Sequence, residues 1–144
     1  MKDVRNTPQG LTRGECLGLL STVKVGRVIF TEQALPAVMP VGFVLDLGDV
    51  VMCVPSGSGR LAAATRDTIV AFQADDLDAA GPTGWSVTIV GRARVVQDPG
   101  DRAREALRAW TAGSSPEFVR ISCQRVSGVR VGPNPPVNGY GTAA

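Results

Sequence analysis

The chain has 144 residues and a mass of 15.0 kDa, which is room for one domain. A chain of this size buries about 68–70% of its unfolded surface, so it needs neither disulfide nor metal to hold together. With 44% hydrophobic and 19% charged residues and a net charge of +2, it is globular and too weakly basic for nucleic acid to be its expected partner.

It has no histidine, which removes Ser-His-Asp and Cys-His catalysis, His-ligated haem and most zinc sites. Cys16, Cys53 and Cys123 are far apart and form no CxxC, so no metal site is expected. Three free thiols and a reducing, cytoplasmic setting are expected instead. The N-terminus MKDVRNTPQG has no apolar h-region and no run approaches 18 apolar residues, so neither a signal peptide nor a membrane span is expected.

The first predicted element is a helix near Thr12–Thr22. Thr12 and Glu15 have capping-box spacing, and Leu11 and Cys16 flank the cap as a staple. A strand, Val25–Thr31, follows. Ala37–Leu45 is nearly all apolar, and Pro40 and Gly42 within it predict an irregular or edge strand. The turn Asp46-Leu-Gly-Asp49 leads back through Val50–Val54, an antiparallel hairpin. After the loop Pro55–Gly59, Arg60–Thr65 predicts a turn or two of helix, and Ile69–Ala74 a strand that leaves through Asp75, Asp76 and Asp78.

Trp85–Val96 is the longest predicted strand, with Trp85, Val87, Ile89, Gly91, Ala93 and Val95 on one face; Gly91 marks a bend of the kind that closes a barrel. Asp98 and Pro99 predict a helix start, as N-cap and N1, with Ala103, Leu107 and Trp110 as its buried stripe. Phe118–Gln124 is the last main strand. The expected organisation is one domain over residues 1–131 and a Pro/Gly-rich tail over 132–144. Five or six consecutive strands with few crossover helices argue for an antiparallel barrel.

The segment richest in chemistry is Pro55-Ser-Gly-Ser-Gly-Arg-Leu61. Free backbone N–H groups at a helix start, the Ser56 and Ser58 hydroxyls and the Arg60 fork suit a phosphate; a flexible loop with a solvated arginine is the plain alternative. Gly57-x-Gly59-x-x-Ala62 also matches a dinucleotide fingerprint, with Asp75 near the place of its ribose acid. The helical stretch before Ile69 is too short for a βαβ crossover, so the match is a decoy. Trp85 either covers a flat ligand or packs in the core, and Ser86 either bonds a ligand or faces water. Arg92, Arg94, Arg102, Arg104 and Arg108 form a loose basic cluster, read first as a solvated face.

Taken in order, Gly26-Arg27-Val28, Pro36–Val41, the Gly/Ser loop with Arg60–Ala64, Val70-Ala-Phe72 with Asp75, and Gly84-Trp-Ser-Val87 with Gly91-Arg92-Ala93 resemble the pyridoxamine 5′-phosphate oxidase-like group of flavin-binding split barrels. The likeness runs from about Leu17 to Arg130. It implies a mainly β fold, a six-stranded antiparallel Greek-key split barrel with two or three short helices. It also implies a homodimer with FMN sites at the subunit interface.

By the same resemblance, Pro55, Ser56, Ser58, Arg60 and Leu61 form the phosphate loop, and Pro40 and Val41 border the isoalloxazine. Trp85 and Ser86 approach from the other subunit. Three positions depart from the family's pattern. Val54-Pro55 stands where Arg-Thr is common, Gly42 where Pro-Val-Asn ends, and Ser127-Gly128-Val129 where Thr-Gly-Arg is usual. Losing a charged hydrogen bond costs about 1.5–3 kcal/mol. Three functions therefore stand: an FMN-dependent oxidoreductase acting on a small molecule; a reductase using the deazaflavin F420; and a cofactor-free protein that binds or makes a small molecule. No side chain is an evident general acid or base, which suits cofactor-driven chemistry.

If the cleft binds FMN, Arg60 carries most of the phosphate recognition. Arg60→Ala should then weaken FMN by roughly 10–150-fold and leave riboflavin, which lacks the phosphate, unaffected. Parallel titrations of both ligands check this, and equal FMN affinity in the two proteins removes Arg60 from the site.

Overall fold

The computed structural model describes residues 9–54, 61, 65–81, 83–111 and 116–132. The elements are β1 (Gln9–Gly10), α1 (Arg13–Leu20), β2 (Val25–Glu32), β3 (Leu35–Asp46), β4 (Asp49–Val54), β5 (Thr68–Asp78), β6 (Thr83–Val96), α2 (Asp101–Ala106), α3 (Arg108–Thr111), β7 (Glu117–Ile121) and β8 (Arg125–Val131).

The two-residue period of β6 decides the architecture. Trp85, Val87, Ile89, Gly91 and Ala93 all point into the core. One edge of β6 pairs with β5 over nearly the whole strand. The other edge changes partner midway, from β8 over Gly84–Val90 to β7 over Ala93–Val96. At the change, a Cβ added to Gly91 would come within 1.6 Å of the Ser122 carbonyl oxygen. Only glycine lets the β7–β8 connection approach so closely. The Ser122 N–H donates to Arg92 O (3.1 Å), and the Arg92 N–H donates to Gln124 Oε1 (2.9 Å).

Through β7 the sheet runs on to β4, β3, β2 and β5 and so returns to β6. The result is the expected closed six-stranded antiparallel barrel. The order β5-β2-β3-β4 is a Greek key, with a meander and a fourth strand laid beside its first. Beyond the barrel, β8 and β1 extend the sheet from β6.

Inside, Phe43 and Phe72 meet edge to face with centroids 4.7 Å apart. Leu20 and Cys16 of α1 and the buried Leu61 join the same core. The α1 cap forms as expected: Thr12 Oγ1 accepts from the Glu15 N–H (3.2 Å), and Glu15 Oε1 accepts from the Thr12 N–H (2.8 Å). A second cluster of Val51, Cys53, Ala103, Leu107 and Phe118 seats α2 on the outside of β4 and β7.

That helix departs from expectation at both ends. Its N-cap is Gly100, while Asp98 Oδ1 accepts from the Gly100 N–H (2.9 Å) in a turn before the helix. Trp110 leaves the buried stripe because the helix breaks at Leu107 and restarts at Arg108. The residue is 40% exposed.

Arg120 of β7 locks the base of the barrel. Its guanidinium donates to Asp46 Oδ2 (2.6 Å), Asp49 Oδ2 (3.3 Å), Asp46 O (3.2 Å) and Pro99 O (3.4 Å). One nearly buried cation thus ties the β3–β4 turn to β7 and to the approach to α2. Among the described residues no helix is long and apolar enough to cross a membrane, and no cluster of acidic or cysteine side chains could hold a metal.

Gly91→Ala should lower stability by about 2–3 kcal/mol, roughly 5–10 °C in Tm. Gly18→Ala on α1, where a Cβ meets nothing within 4 Å, should raise it slightly. Thermal melts of the two variants check the contrast, and an unshifted Gly91→Ala contradicts the close approach.

The three cysteines are free and buried, and burial raises each thiol above its usual value. Their protonated forms are favoured in the fold. Stability is therefore full below the unfolded thiol value of about 8.5 and falls as pH rises through the raised folded values. Thiol titration at pH 8 should count none promptly in the native protein and three in denaturant.

Candidate functional site

The site begins where β3 loses a neighbour. β3 pairs with β2 from Leu35 to Gly42 but with β4 only from Phe43 to Asp46. Before Phe43 its other edge has no strand partner among the described residues. The Phe43 N–H donates to Lys24 O (3.1 Å), so odd positions of β3 bond toward β2 and even positions face the open edge. Short of Gly42, which adjoins the first β3–β4 pair, the even positions are Pro36, Val38 and Pro40. Two of the three lack an N–H, so nothing is lost by leaving them unpaired. The edge offers three carbonyls and one N–H to a ligand. Pro40 itself is exposed, while Val41 points inward and is 1% exposed.

β4 runs two residues past its last pair with β3 and ends at Val54. Pro55, Ser56, Ser58 and Arg60 follow at once and lie outside the described residues. Leu61 is wholly buried, and its carbonyl accepts from the Thr65 N–H (3.0 Å) and hydroxyl (2.8 Å). Leu61 is thus a core residue that the chain reaches directly after Arg60. The chain thus brings Pro40 and Val41 to the parting of β3 and β4, where the Gly/Ser sequence starts.

Trp110 sits at the same parting. Its pyrrole edge lies on Gly42, where an added Cβ would meet Nε1 at 2.2 Å. Its carbonyl is 3.7 Å from Cys53 Sγ on β4. The other indole, Trp85, is in the barrel core at 6% exposure, which is where core packing would put it.

Ser86 lies on the outer face of β6, three strands from the β3 edge, about 14 Å at ordinary strand spacing. A polar row spans that gap. Arg27, in register with Pro40, donates to Gln73 Oε1 (2.7 Å) and Asp75 Oδ2 (3.1 Å), and Gln73 Nε2 donates to Ser86 Oγ (2.9 Å). Gln73 was not singled out from the sequence, and Arg27 stood there only within the Gly26-Arg27-Val28 motif. The usable signal was their outward place in otherwise apolar alternating strands.

Each arginine of the cluster faces a carboxylate, and two of these, Asp46 and Asp49, also serve Arg120. Arg92 faces Asp67 (3.3 Å), Arg94 faces Asp49 (3.9 Å), Arg102 faces Asp46 (3.8 Å), Arg104 faces Asp98 (3.4 Å), and Arg108 faces Glu105. An open hollow of about 530 Å³ beside α2, lined by Arg104, Arg108 and Phe118 among others, contains none of the expected site residues that are among the described ones.

Comparison with known proteins agrees with this architecture. The family description pyridoxamine 5′-phosphate oxidase matches residues 12–130. An uncharacterized Mycobacterium tuberculosis protein is 38% identical over 132 residues, 84% of either chain. The FAD binding protein from Mycobacterium smegmatis has a TM-score of 0.68 at 31% identity, over 88% of this chain and 98% of its own. An FAD-binding protein from Mesorhizobium loti shares the fold with a TM-score of 0.72 at 24% identity, over 87% and 97%. A match across the whole barrel, from the α1 cap to β8, means that this chain belongs to the pyridoxamine 5′-phosphate oxidase family.

Proposed function

We propose that this chain binds a flavin, FMN, at the parting of β3 and β4 and works as an oxidoreductase on a small molecule. The observation that carries the reading is the convergence of two features at one place. The proline-bearing open edge of β3 meets the end of β4, where the serines and arginine suited to a phosphate begin. The exposed carbonyls and the Val38 N–H fit the hydrogen-bonding rim of a flat heteroaromatic ring, and Pro40 and the indole of Trp110 supply apolar contact. When bound, the flavin supplies the electron and hydride transfer. The chain's own residues bind and orient it and keep water from one side of the ring.

FAD is the second reading, favoured by what the 31% identical M. smegmatis protein binds. The arginine cluster adds no support for F420, because each of its cations already faces a carboxylate.

We also propose a cytoplasmic homodimer. Val38 and Ile69 on one side of the polar row through Arg27 and Gln73, and Val25 and Leu77 on the other, are each at least half exposed on the outside of β2, β3 and β5, apolar flanks suited to a second copy. Ser86 stands three strands from its own β3 edge, and we propose that a second copy's Ser86 approaches that edge instead.

Titration of FMN, FAD and riboflavin, read by flavin fluorescence, tests the cofactor, and light scattering tests the assembly. We expect FMN to bind more tightly than riboflavin, and a particle of twice 15.0 kDa. Failure of FMN and FAD alike overturns the flavin reading, and a 15.0 kDa particle at micromolar concentration overturns the dimer.

A further inference from the structure

We propose that Trp110 is a wall of the flavin site, its indole stacking on the isoalloxazine where β3 and β4 part. The inference rests on the flavin reading above and adds a residue that the likeness to the family does not supply. Three observations carry it.

First, the seat of the ring is built. A Cβ at residue 42 would stand 2.2 Å from Nε1, 2.3 Å from Cε2 and 2.5 Å from Cδ1. Any side chain there would evict the indole. Glycine at 42 departs from the Pro-Val-Asn pattern, and the space of an amide side chain is given to an aromatic one.

Second, the residue is held from both sides while much of it stays open. The Trp110 N–H donates to Leu107 O (2.9 Å), its carbonyl lies 3.7 Å from Cys53 Sγ, and the residue as a whole is 40% exposed. A half-open residue fixed by its backbone loses little freedom when a flat ligand covers it.

Third, its place is the boundary of the site. Gly42 is the last residue of β3 before pairing with β4 begins, and Pro40 is the next outward residue along the open edge. An electron-rich indole at that point fits an electron-poor planar heteroaromatic, and stacking of that kind recognises the ring and not the phosphate.

The experiment titrates riboflavin and FMN into wild type, Trp110→Ala, Trp110→Phe and Gly42→Ala, reading affinity and the emission of the bound flavin. A stacked indole quenches flavin emission on contact. We expect Trp110→Ala to weaken riboflavin and FMN equally, by roughly 5–50-fold, and to leave the bound flavin brighter. Trp110→Phe should fall between, and Gly42→Ala should resemble Trp110→Ala, because it displaces the ring without removing it. The exposure of Trp110 makes its variants foldable, and Trp110→Phe retains an aromatic ring if Trp110→Ala is not. Unchanged affinity and emission in the Trp110 variants, with wild type binding flavin, overturn this proposal alone. So does a loss confined to FMN, or a loss of dimer with emission unchanged. A wild type that binds neither ligand overturns the flavin reading and this proposal with it.

Discussion

The fold depends on one close approach. At Gly91 the backbone of β6 stands so near Ser122 that a single added carbon would collide with its carbonyl. That contact lets β6 release β8 and take up β7, and without it the strands would form an open sheet with two long edges. Closure then fixes everything downstream. β7 must reach β4, and Arg120 holds that junction by gripping Asp46 and Asp49 at the far turn. A cation with 12% of its side chain exposed between two carboxylates is costly to desolvate unless its hydrogen bonds are met, and here four oxygens meet them. With the β3–β4 turn pinned, these strands stay paired near the turn and part only past Phe43 and Met52.

The parting follows from the same geometry. β3 is twelve residues long and β4 six, and β2 accompanies β3 along the stretch that β4 does not reach. An unpaired strand edge invites another strand and is a liability in most proteins. Here Pro36 and Pro40 occupy positions whose amides would face the open edge, so a passing strand finds one N–H where it needs three. The edge keeps its carbonyls and loses most of its donors. It is poor for β-augmentation and still able to meet polar atoms of a small ring.

Much of this was legible in the residues. The alternation of Trp85–Ala93 gave the longest strand and its inward face, the Thr12/Glu15 spacing gave the α1 cap, and Pro40 marked an edge. The glycine at 91 stood out because it interrupts β-branched neighbours. Other features were not legible, for physical reasons. β8 carries Ser127 and Gly128 in its centre, which weakens its alternation, and it forms only because β6 has an edge to give it. The start of α2 was misplaced because Asp98 bonds a backbone N–H in a turn much as a cap would; the difference lies in the backbone at Gly100, whose φ of +96° leaves the cap to glycine. Arg27 looks like any charged residue on a strand until pairing sets it beside Pro40 and Gln73. The Gly/Ser segment was the sharpest chemical signal in the sequence, and the fold contributes the end of β4, which it follows.

The two tryptophans show why composition alone could not find the site. By sequence, Trp85 heads a strand in a segment like those that approach flavins, while Trp110 falls at helical spacing after Leu107. For Trp85 the barrel bears out core packing, one of its two readings, and for Trp110 it reverses the buried stripe. Inward alternation of β6 drives Trp85 into the core, where its area is best buried. The break at Leu107 turns Trp110 out of the helical stripe and sets it down on β3. What decides its position is the partner it lands on: Gly42 is the one residue in the Pro40–Phe43 segment without a side chain, on the strand face turned toward α3. A glycine that reads in sequence as a lost contact is, in three dimensions, the condition for a different one. The departure at residue 42 and the exposure of Trp110 are therefore a single feature, and the chemistry of the open edge has to be judged with the indole in place.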